Sequence, residues 1–369
     1  MGAALIEQAS DLRHLVASLL QLHDKAGVLS ITVGIEPGAA SGRTPEAEIV
    51  LKNELVRLRR EGAHILERRL EAASSRLEDL LDASTTGRGR ALYMALDSGA
   101  ETELALEMDL PTRVRVGPAA HVLPLLAALD DGERSGLLGA SRDSISVGEL
   151  ELGRLHRLDP MDLEPWIGDW WPEMKGPARA NPQRGLHTVS QRDGYERRLA
   201  AAYRHALDSA VGAIGSLAHE RGWSRAALAG DPRRIRFLDD ALRGRGLATT
   251  TIDANLEGLH PADALRRLKD ALGSLVAWRR ARLAQEVIAA QKGACGLVPV
   301  LAALAEGRID HLVIDAKRAF PGVVRAGERL AAAEPGEDTI DLTDLIVARA
   351  LAMRAAVTPL TGDTAAALA

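Results

Sequence analysis

Cysteine is almost absent from this 369-residue chain, and other absences narrow its possible functions further. The one cysteine, Cys295, cannot form an internal disulfide or build a cysteine-rich zinc site, and its apolar surroundings predict a small buried side chain. Aromatic residues make up only 3% of the chain, so its cores must be built from Leu, Val, Ile and Ala, as in helices packed on sheets. No apolar run reaches the ~18 residues that a membrane span needs. The N-terminus also lacks a signal peptide's basic start and apolar run, so we expect a cytoplasmic protein with no membrane partner.

Several motifs of metal, nucleotide and hydrolytic chemistry are missing as well. The chain has no His-Glu-x-x-His, no Gly-x-Ser-x-Gly, no Walker-type loop and no pair of cysteines. Gly244-Arg245-Gly246 lacks the third glycine of a dinucleotide fingerprint. Gly87-Arg88-Gly89-Arg90 precedes a predicted strand rather than a helix, so we interpret it as a turn. We therefore expect no metal and no cofactor.

Charge is distributed unevenly along the chain. The formal net charge of -5 argues against a protein that coats nucleic acid nonspecifically. Residues 179–204 nevertheless carry six arginines against two acids, and residues 266–292 carry seven basic residues against two acids. Residues 334–363 reverse this balance, with six acids against two arginines. Local basic segments thus remain candidates for contacts with phosphate groups.

Helical and strand patterns alternate along the chain, which indicates α/β layering. Predicted helices cover approximately residues 5–25, 46–81, 195–221, 262–291, 297–304 and 338–356. Predicted strands cover approximately residues 28–34, 91–96, 136–140, 145–155, 226–229, 247–252 and 311–315. A chain of this length exceeds what one hydrophobic core usually organises. We predict three domains, over residues 1–126, 127–288 and 289–369.

One polar segment, residues 181–198, stands out in the middle of the chain. It reads Asn-Pro-Gln-Arg-Gly-Leu-His-Thr-Val-Ser-Gln-Arg-Asp-Gly-Tyr-Glu-Arg-Arg and leads into the helix predicted from Tyr195. The segment combines glycine, which allows a close backbone approach, with arginine, which binds phosphate bidentately. A strand ending Ala229-Gly230-Asp231, a short helix, a second strand and a long helix follow it.

This layout resembles the active loop of the archaeo-eukaryotic class 1 peptide chain release factors. In that superfamily a glycine-rich loop with a functional Gln is followed by Ser, by an aromatic residue flanked by Arg, and by a long helix. Ser190, Tyr195, Arg197 and Arg198 fit the latter half of that pattern. The stretch from Gly296 to Ile314 resembles the opening of the family's third domain, and the N-terminal region is similar to that of the superfamily's bacterial branch.

The resemblance implies a multidomain α/β fold and a function in translation. It implies an N-terminal α+β domain, a central release-factor-type α/β domain that carries the active loop, and a C-terminal α/β domain like ribosomal protein L7Ae. The expected substrate is the ester that links a nascent peptide to tRNA, and the expected partners are the ribosome, tRNA and a protein that binds the C-terminal domain. Gln191 and Ser190 are the implied catalytic residues. The implied RNA-binding residues are Arg184, Arg192, Arg197 and Arg198.

The segment also departs from the family pattern, which leaves two alignments open. The paired glycines before the Gln are absent, and His187-Thr188-Val189 stands near their place. In one alignment Gln191 is the functional residue. In the other, Ser190 matches the Ser that follows the family's Gln, and Val189 occupies the catalytic position.

Four functional hypotheses follow. The first is a peptidyl-tRNA hydrolase, and the second is a ribosome- or tRNA-binding factor with a degenerate loop. The third is a protein-interaction module that uses the acidic C-terminal stretch. The fourth is an unrelated α/β enzyme that binds a small anion at the loop from Gly230 to Arg234.

Overall fold

Two folded units make up the described part of the chain. The computed structural model describes residues 4–361 except for residues 23, 36–44, 62–75, 78, 83–85, 142–143, 164–187, 253–260, 291–292 and 335–336. The terminal unit comprises Met1–Gly132, Glu151–Arg154 and Val276–Ala369, and the central unit comprises Glu133–Leu150 and Leu155–Leu275. The predicted architecture of mixed α/β type with more than one unit is confirmed. The three domains with boundaries near residues 127 and 289 stay a prediction.

The N-terminal part of the terminal unit is a five-stranded sheet. Its strands, β1 to β5, are Ala4–Leu5, Val28–Gly34, Gly89–Ala95, Glu101–Leu106 and Arg113–Gly117. They lie in the order β1-β4-β3-β2-β5. Strand β2 is antiparallel to both neighbours, with Ile31 opposite Leu92 on one side and Val114 on the other. Because β2 is central and covered on both faces, it consists mainly of buried β-branched and aliphatic residues.

Helices cover both faces of this sheet. These are α1 (Ala9–Leu19), α2 (Pro45–Glu61) and α3 (Leu123–Asp131). Helices α1 and α3 belong to the apolar cluster that contains Val28, whereas α2 belongs to the cluster that contains Leu29. The two neighbouring residues serve different cores because successive side chains of a strand point to opposite faces.

The central unit is built around a mixed sheet. Its strands, β6 to β11, are Ser135–Ala140, Ser144–Glu151, Arg154–Arg157, Met161–Asp162, Arg225–Gly230 and Ala248–Ile252. The order is β11-β10-β6-β7-β8, and β9 pairs with β7. Strand β10 is parallel to β6 and to β11, while β7 is antiparallel to β6. The hairpin and the two later strands predicted for this region are therefore confirmed.

Three helices complete the central unit. They are α4 (Thr188–Arg221), α5 (Pro232–Arg243) and α6 (Pro261–Ala289), although α6 belongs to the terminal unit from Val276 onward. Helices α4 and α5 share an apolar cluster with one face of the sheet. Leu268 and Leu272 of α6 pack with Leu137 and Ala227 in a separate cluster. The central unit thus has a helix–sheet–helix layering.

The C-terminal segment contributes the remaining elements of the terminal unit. These are α7 (Leu297–Ala305), α8 (Thr343–Ala352) and strands β12 to β16, which span His311–Asp315, Pro321–Arg325, Arg329–Ala332, Ile340–Asp341 and Ala356–Leu360. β12 pairs in parallel with β16, and the other three form a sheet in the order β14-β13-β15. Leu301, Ile314 and Ile346 belong to the same apolar cluster as Leu12 and Leu125. The two ends of the chain therefore share one core.

The helix predicted over residues 338–356 is wrong at both ends. Asp341 pairs in β15, and its carboxylate accepts a hydrogen bond from the backbone N–H of Thr343 at 2.9 Å, so α8 begins only there. Arg354 has a φ of 63°, a left-handed conformation that ends the helix before β16. The ends of α8 are therefore set by these local turns and not by the helical spacing of its apolar residues.

The prediction of a buried Cys295 is also wrong. Cys295 is exposed in the connection between α6 and α7, next to Gly296, whose φ is 88°. The apolar stretch that suggested burial begins with α7 itself. Within the described ranges, none of the helices carries an apolar stretch of membrane-spanning length.

Gly136 in β6 offers a test of packing in the central unit. A Cβ at this position would lie 2.3 Å from the ring of Trp223, which is buried. We expect Gly136→Ala to lower the free energy of unfolding in urea by about 1–3 kcal/mol, as overpacking does. Gly273→Ala in α6 is the matched control, since a Cβ there meets nothing within 4 Å. It should stabilise the protein by about 0.4–1 kcal/mol, and equal effects of the two changes would contradict the packing at Gly136.

Candidate functional site

The predicted site residues lie at the beginning of helix α4. The helix begins at Thr188, so Ser190 and Gln191 stand in its first turn. Arg192 follows directly, and Arg197 and Arg198 come two turns later. Arg184 lies outside the described residues. The structure therefore brings five of the six predicted residues onto one continuous helix.

The helix starts earlier than the sequence predicted. We expected it to begin at Tyr195, because Gly194 and Asp193 are poor helix formers. A single glycine inside a helix costs only about 1 kcal/mol relative to alanine. Gln191 and Arg192 favour helix, and the long apolar stripe farther along α4 anchors it to the sheet. The segment from residue 188 onward is thus helix rather than loop.

Helical periodicity places two of the predicted residues away from the core side of α4. The buried stripe of the helix runs through Leu207, Val211, Ile214 and Ala218. Position 191 lies sixteen residues before Leu207, which is about four and a half helical turns. Position 198 lies nine residues before Leu207, which is about two and a half turns, and the extra half turn places each position on the opposite face. Positions 191 and 198 therefore share the face opposite the buried stripe.

The other end of α4 is fixed by a buried polar contact. Trp223 follows the helix, and its indole N–H donates to a carboxylate oxygen of Glu149 at 2.8 Å. Both side chains are buried, and Arg134 lies 3.7 Å from the same carboxylate. The neighbouring Arg225 is fully buried and donates to the hydroxyl of Ser135 at 2.8 Å. These contacts hold the start of β10 and the end of α4 to the sheet.

The loop from Gly230 to Arg234 connects β10 to α5 and was the candidate anion site. Asp231 caps α5, and its carboxylate accepts the backbone N–H groups of Arg233 at 3.1 Å and Arg234 at 3.2 Å. Gly230 has a φ of 123° and lies so close to Ala140 that a Cβ would meet its carbonyl oxygen at 2.2 Å. The donors that would bind an anion are therefore already used by the protein's own carboxylate.

A buried ionic cluster in the terminal unit was not predicted from the sequence. The ring Nδ1 of His121 donates to Asp344 at 2.6 Å, and both side chains are at most 3% exposed. Arg115 lies 3.7 Å from the other oxygen of Asp344 and donates to Asp341 at 2.5 Å. Tyr93 donates its hydroxyl to the carbonyl of His121 at 3.2 Å. The cluster joins the N-terminal sheet to α8 within one unit.

The surroundings of this cluster perturb two of its ionisable groups. Burial, with the negative charge of Asp344 as a further cause, raises the pKa of Tyr93, which stays neutral. Burial acts to raise the pKa of Asp341, but hydrogen bonds from Thr343 and Phe320 and the charge of Arg115 outweigh it, so this pKa lies below its usual value. Every charge is thus held by an internal partner.

A cavity of about 340 Å³ adjoins the cluster, and Arg115 and Asp341 are among its lining residues. It also meets Asp24, whose carboxylate accepts backbone N–H groups of Ala26, Asp97 and Ser98. These hydrogen bonds lower the pKa of Asp24, the one from Ser98 most of all. The polar groups of the cavity serve local structure, and we assign it no chemistry. Among the described residues, no group of three or more His, Cys, Asp or Glu could hold a metal ion.

Comparison with known proteins identifies the central segment. The family described as "Bacterial archaeo-eukaryotic release factor family 10" matches residues 121–268. Residues 121–268 are thus similar to the bacterial branch of the archaeo-eukaryotic release factor superfamily. This release-factor segment contains all six predicted site residues, and the resemblance of the loop and its downstream elements is confirmed at the level of the superfamily.

Solved structures of translation termination and Pelota proteins align along most of the chain. The archaeal translation termination factor aRF1 is 16% identical over 99% of this chain and 95% of its own, with a TM-score of 0.28. Archaeal Pelota, from a structure of ribosome-bound Pelota and ABCE1, is 12% identical over 100% of this chain and 93% of its own, with a TM-score of 0.40. Pelota of Archaeoglobus fulgidus is 11% identical over 96% of this chain and 85% of its own, with a TM-score of 0.32. These likenesses are too low to support conclusions about function, and no curated protein matches the chain.

Proposed function

We propose that the chain is a ribosome-associated factor of the release-factor type that hydrolyses the peptidyl-tRNA ester in termination or ribosome rescue. The observation that carries the proposal is the family match over residues 121–268, which includes the whole segment from Asn181 to Arg198. Gln191 positions the attacking water, with Ser190 beside it, and no cofactor takes part. Such a role places the protein in the cytoplasm, with the ribosome and tRNA as partners.

The beginning of α4 supports this chemistry. The first four N–H groups of an α-helix have no acceptor within the helix and lie at the positive end of its dipole. In α4 these include the N–H groups of Thr188, Val189 and Ser190. Ester hydrolysis develops negative charge on the carbonyl oxygen, and preorganised N–H donors stabilise such charge. The first turn of α4 therefore offers donors next to the residue that holds the water.

The positions of the arginines support contact with RNA. By helical periodicity, positions 191 and 198 share the face of α4 opposite the buried stripe. In the proposal, Arg184, Arg192, Arg197 and Arg198 bind phosphates of tRNA or ribosomal RNA, which guanidinium groups contact bidentately. The substrate ester is thereby held near the first turn of α4.

The experiment that tests the proposal is release of labelled peptide from peptidyl-tRNA on purified ribosomes. Addition of the wild-type protein should release peptide at a rate that rises with protein concentration. Co-sedimentation with the ribosomes should occur in the same samples. A protein that neither releases peptide nor co-sediments would contradict the proposal, and the family match would then describe ancestry without this activity.

A second candidate function is a non-catalytic ribosome- or tRNA-binding factor. It is favoured by Val189, which stands in place of the glycine of a Gly-Ser-Gln loop if Gln191 is the functional residue, and in place of the Gln itself in the other alignment. The helical start at Thr188 also leaves this backbone less freedom than a glycine-rich loop has. Such a factor would co-sediment with ribosomes and release no peptide.

The C-terminal segment completes the proposal. A domain from residue 289 to 369, of the ribosomal-L7Ae-like α/β type, would bind a protein partner. Its support is the alternation of α7, β12, α8 and β16, in which β12 and β16 pair in parallel. Several of its acids are already paired internally, such as Glu337 with Arg325 at 3.2 Å. The partner would therefore meet only part of the acidic charge that the sequence shows.

Removal of two arginines from α4 should weaken ribosome binding. We expect Arg197→Ala combined with Arg198→Ala to reduce the slope of log K against log salt by about 1–2, because each lost phosphate contact removes nearly one counterion. The matched control is Arg236→Ala combined with Arg245→Ala, which removes two exposed charges from the same unit outside both basic segments. Co-sedimentation at several salt concentrations measures the slope, and equal slopes for both double variants would contradict the assignment to α4.

A further inference from the structure

Trp278 is an exposed indole on the part of α6 that belongs to the terminal unit. It keeps 57% of its surface exposed, although burial of an indole removes a large apolar area from water. The guanidinium carbon of Arg282, one helical turn later, lies 5.6 Å from the centroid of the indole ring. This is cation–π geometry, which holds the ring beside a positive charge.

The charge around Trp278 is mainly positive. Arg279 is exposed next to it, and the side chain of Arg282 is 63% exposed and paired with Glu286 at 2.8 Å. Arg280 does not contribute, since it is buried and pairs with Asp130 at 2.6 Å within the unit. Two exposed guanidinium groups therefore lie beside one exposed aromatic ring, and Glu286 partly balances the charge of Arg282.

This combination matches single-stranded nucleic acid better than an apolar protein surface. Bases stack on exposed aromatic side chains, while adjacent arginines bind the phosphates. A protein partner that docks by apolar contact needs neighbouring apolar side chains, but the exposed residues that follow Trp278 on its own face are Arg282 and Gln285. Exposed Ile288 lies nearly a quarter turn away on the helix.

We propose that Trp278, Arg279 and Arg282 form a contact site for single-stranded RNA, in which an unpaired base stacks on the indole and the flanking phosphates bind the two arginines. The inference rests on the proposed function for the source of the RNA, since a ribosome-associated factor meets unpaired RNA there. The site is separate in sequence from the arginines of α4.

The test is binding of a short fluorescein-labelled oligoadenylate to the full chain, followed by fluorescence anisotropy. Trp278→Ala should weaken binding about tenfold or more, because stacking on an aromatic ring is lost. Trp278→Phe, which keeps an aromatic face, should recover most of the affinity. Ile288→Ala is the control, because it removes another exposed apolar side chain of the same helix and should leave binding unchanged. The thermal unfolding of Trp278→Ala should match that of the wild type, as expected for an exposed residue.

The inference is overturned by a wild-type protein that does not bind the oligonucleotide, or by a Trp278→Ala variant that binds it as well as the wild type does. Loss of affinity equal to that of Ile288→Ala would also overturn it. Failure of the proposed function can be distinguished from failure of this inference, because the proposed function is tested by peptide release and ribosome co-sedimentation of the wild type alone. If the wild type releases peptide but Trp278→Ala binds the oligonucleotide as the wild type does, the RNA site is rejected and the proposed function is kept.

Discussion

Replacing Gln191 with alanine is expected to lower the rate of peptide release on ribosomes by about a hundredfold or more. Misplacement of an attacking water by about 1 Å costs on the order of 10²-fold, and loss of one polar donor in a preorganised site costs about 10²–10³-fold. Gln191 lies in the first turn of α4, at a position that the buried stripe of the helix does not use. The substitution should therefore remove chemistry without loss of folding or of ribosome binding.

The control for this prediction is Gln21→Ala, which removes an exposed glutamine from the terminal unit and should leave release unchanged. Release and co-sedimentation are measured for both variants at equal protein concentration. Unchanged release by Gln191→Ala would reject the alignment that makes Gln191 the functional residue. Val189→Gly provides a second comparison, because a glycine there restores the family's residue before Ser190 and should raise the rate of an active wild type.

The sequence was sufficient to predict those features that depend on local pattern. The strands of the central unit were predicted because short β-branched or small apolar runs end at turn residues, as in Ala229-Gly230-Asp231. The start of α4 was misjudged by seven residues, since glycine and aspartate at 193–194 suggested a loop and the packing that stabilises the helix lies farther along it. Five of the six site residues are observed on one helix, and the role of all six is a proposal.

The contacts that join distant parts of the chain could not be predicted. His121 and Asp344 are 223 positions apart, and Arg280 and Asp130 are 150 apart. No periodicity or turn signal relates such residues, because each pair meets only after several elements have packed. The exposure of Trp278 was equally inaccessible, since α6 has apolar residues on more than one side and only the packing shows which of them are buried.

Asp344→Ala should be the most destabilising single change among the polar residues discussed, with a loss of about 3–5 kcal/mol in the free energy of unfolding of the terminal unit. Asp344 is only 2% exposed on its side chain, and it faces both His121 and Arg115. Its removal leaves the buried imidazole N–H of His121 without its acceptor, and a buried donor left unpaired costs its full desolvation. It also removes one of the two carboxylates that face the guanidinium of Arg115, which keeps its hydrogen bond to Asp341. Urea unfolding followed by circular dichroism measures the loss.

The matched control is Asp79→Ala, because the side chain of Asp79 is 66% exposed and lies 3.4 Å from Arg76. An exposed ion pair contributes about 0–1 kcal/mol, so the control should change stability little. Asp344→Asn keeps an acceptor for His121 but loses the charge opposite Arg115, so its stability should fall between those of Asp344→Ala and the wild type. Equal, small effects of Asp344→Ala and Asp79→Ala would show that the ionic cluster does not hold the two ends of the chain together, and the shared apolar core would then carry that connection alone.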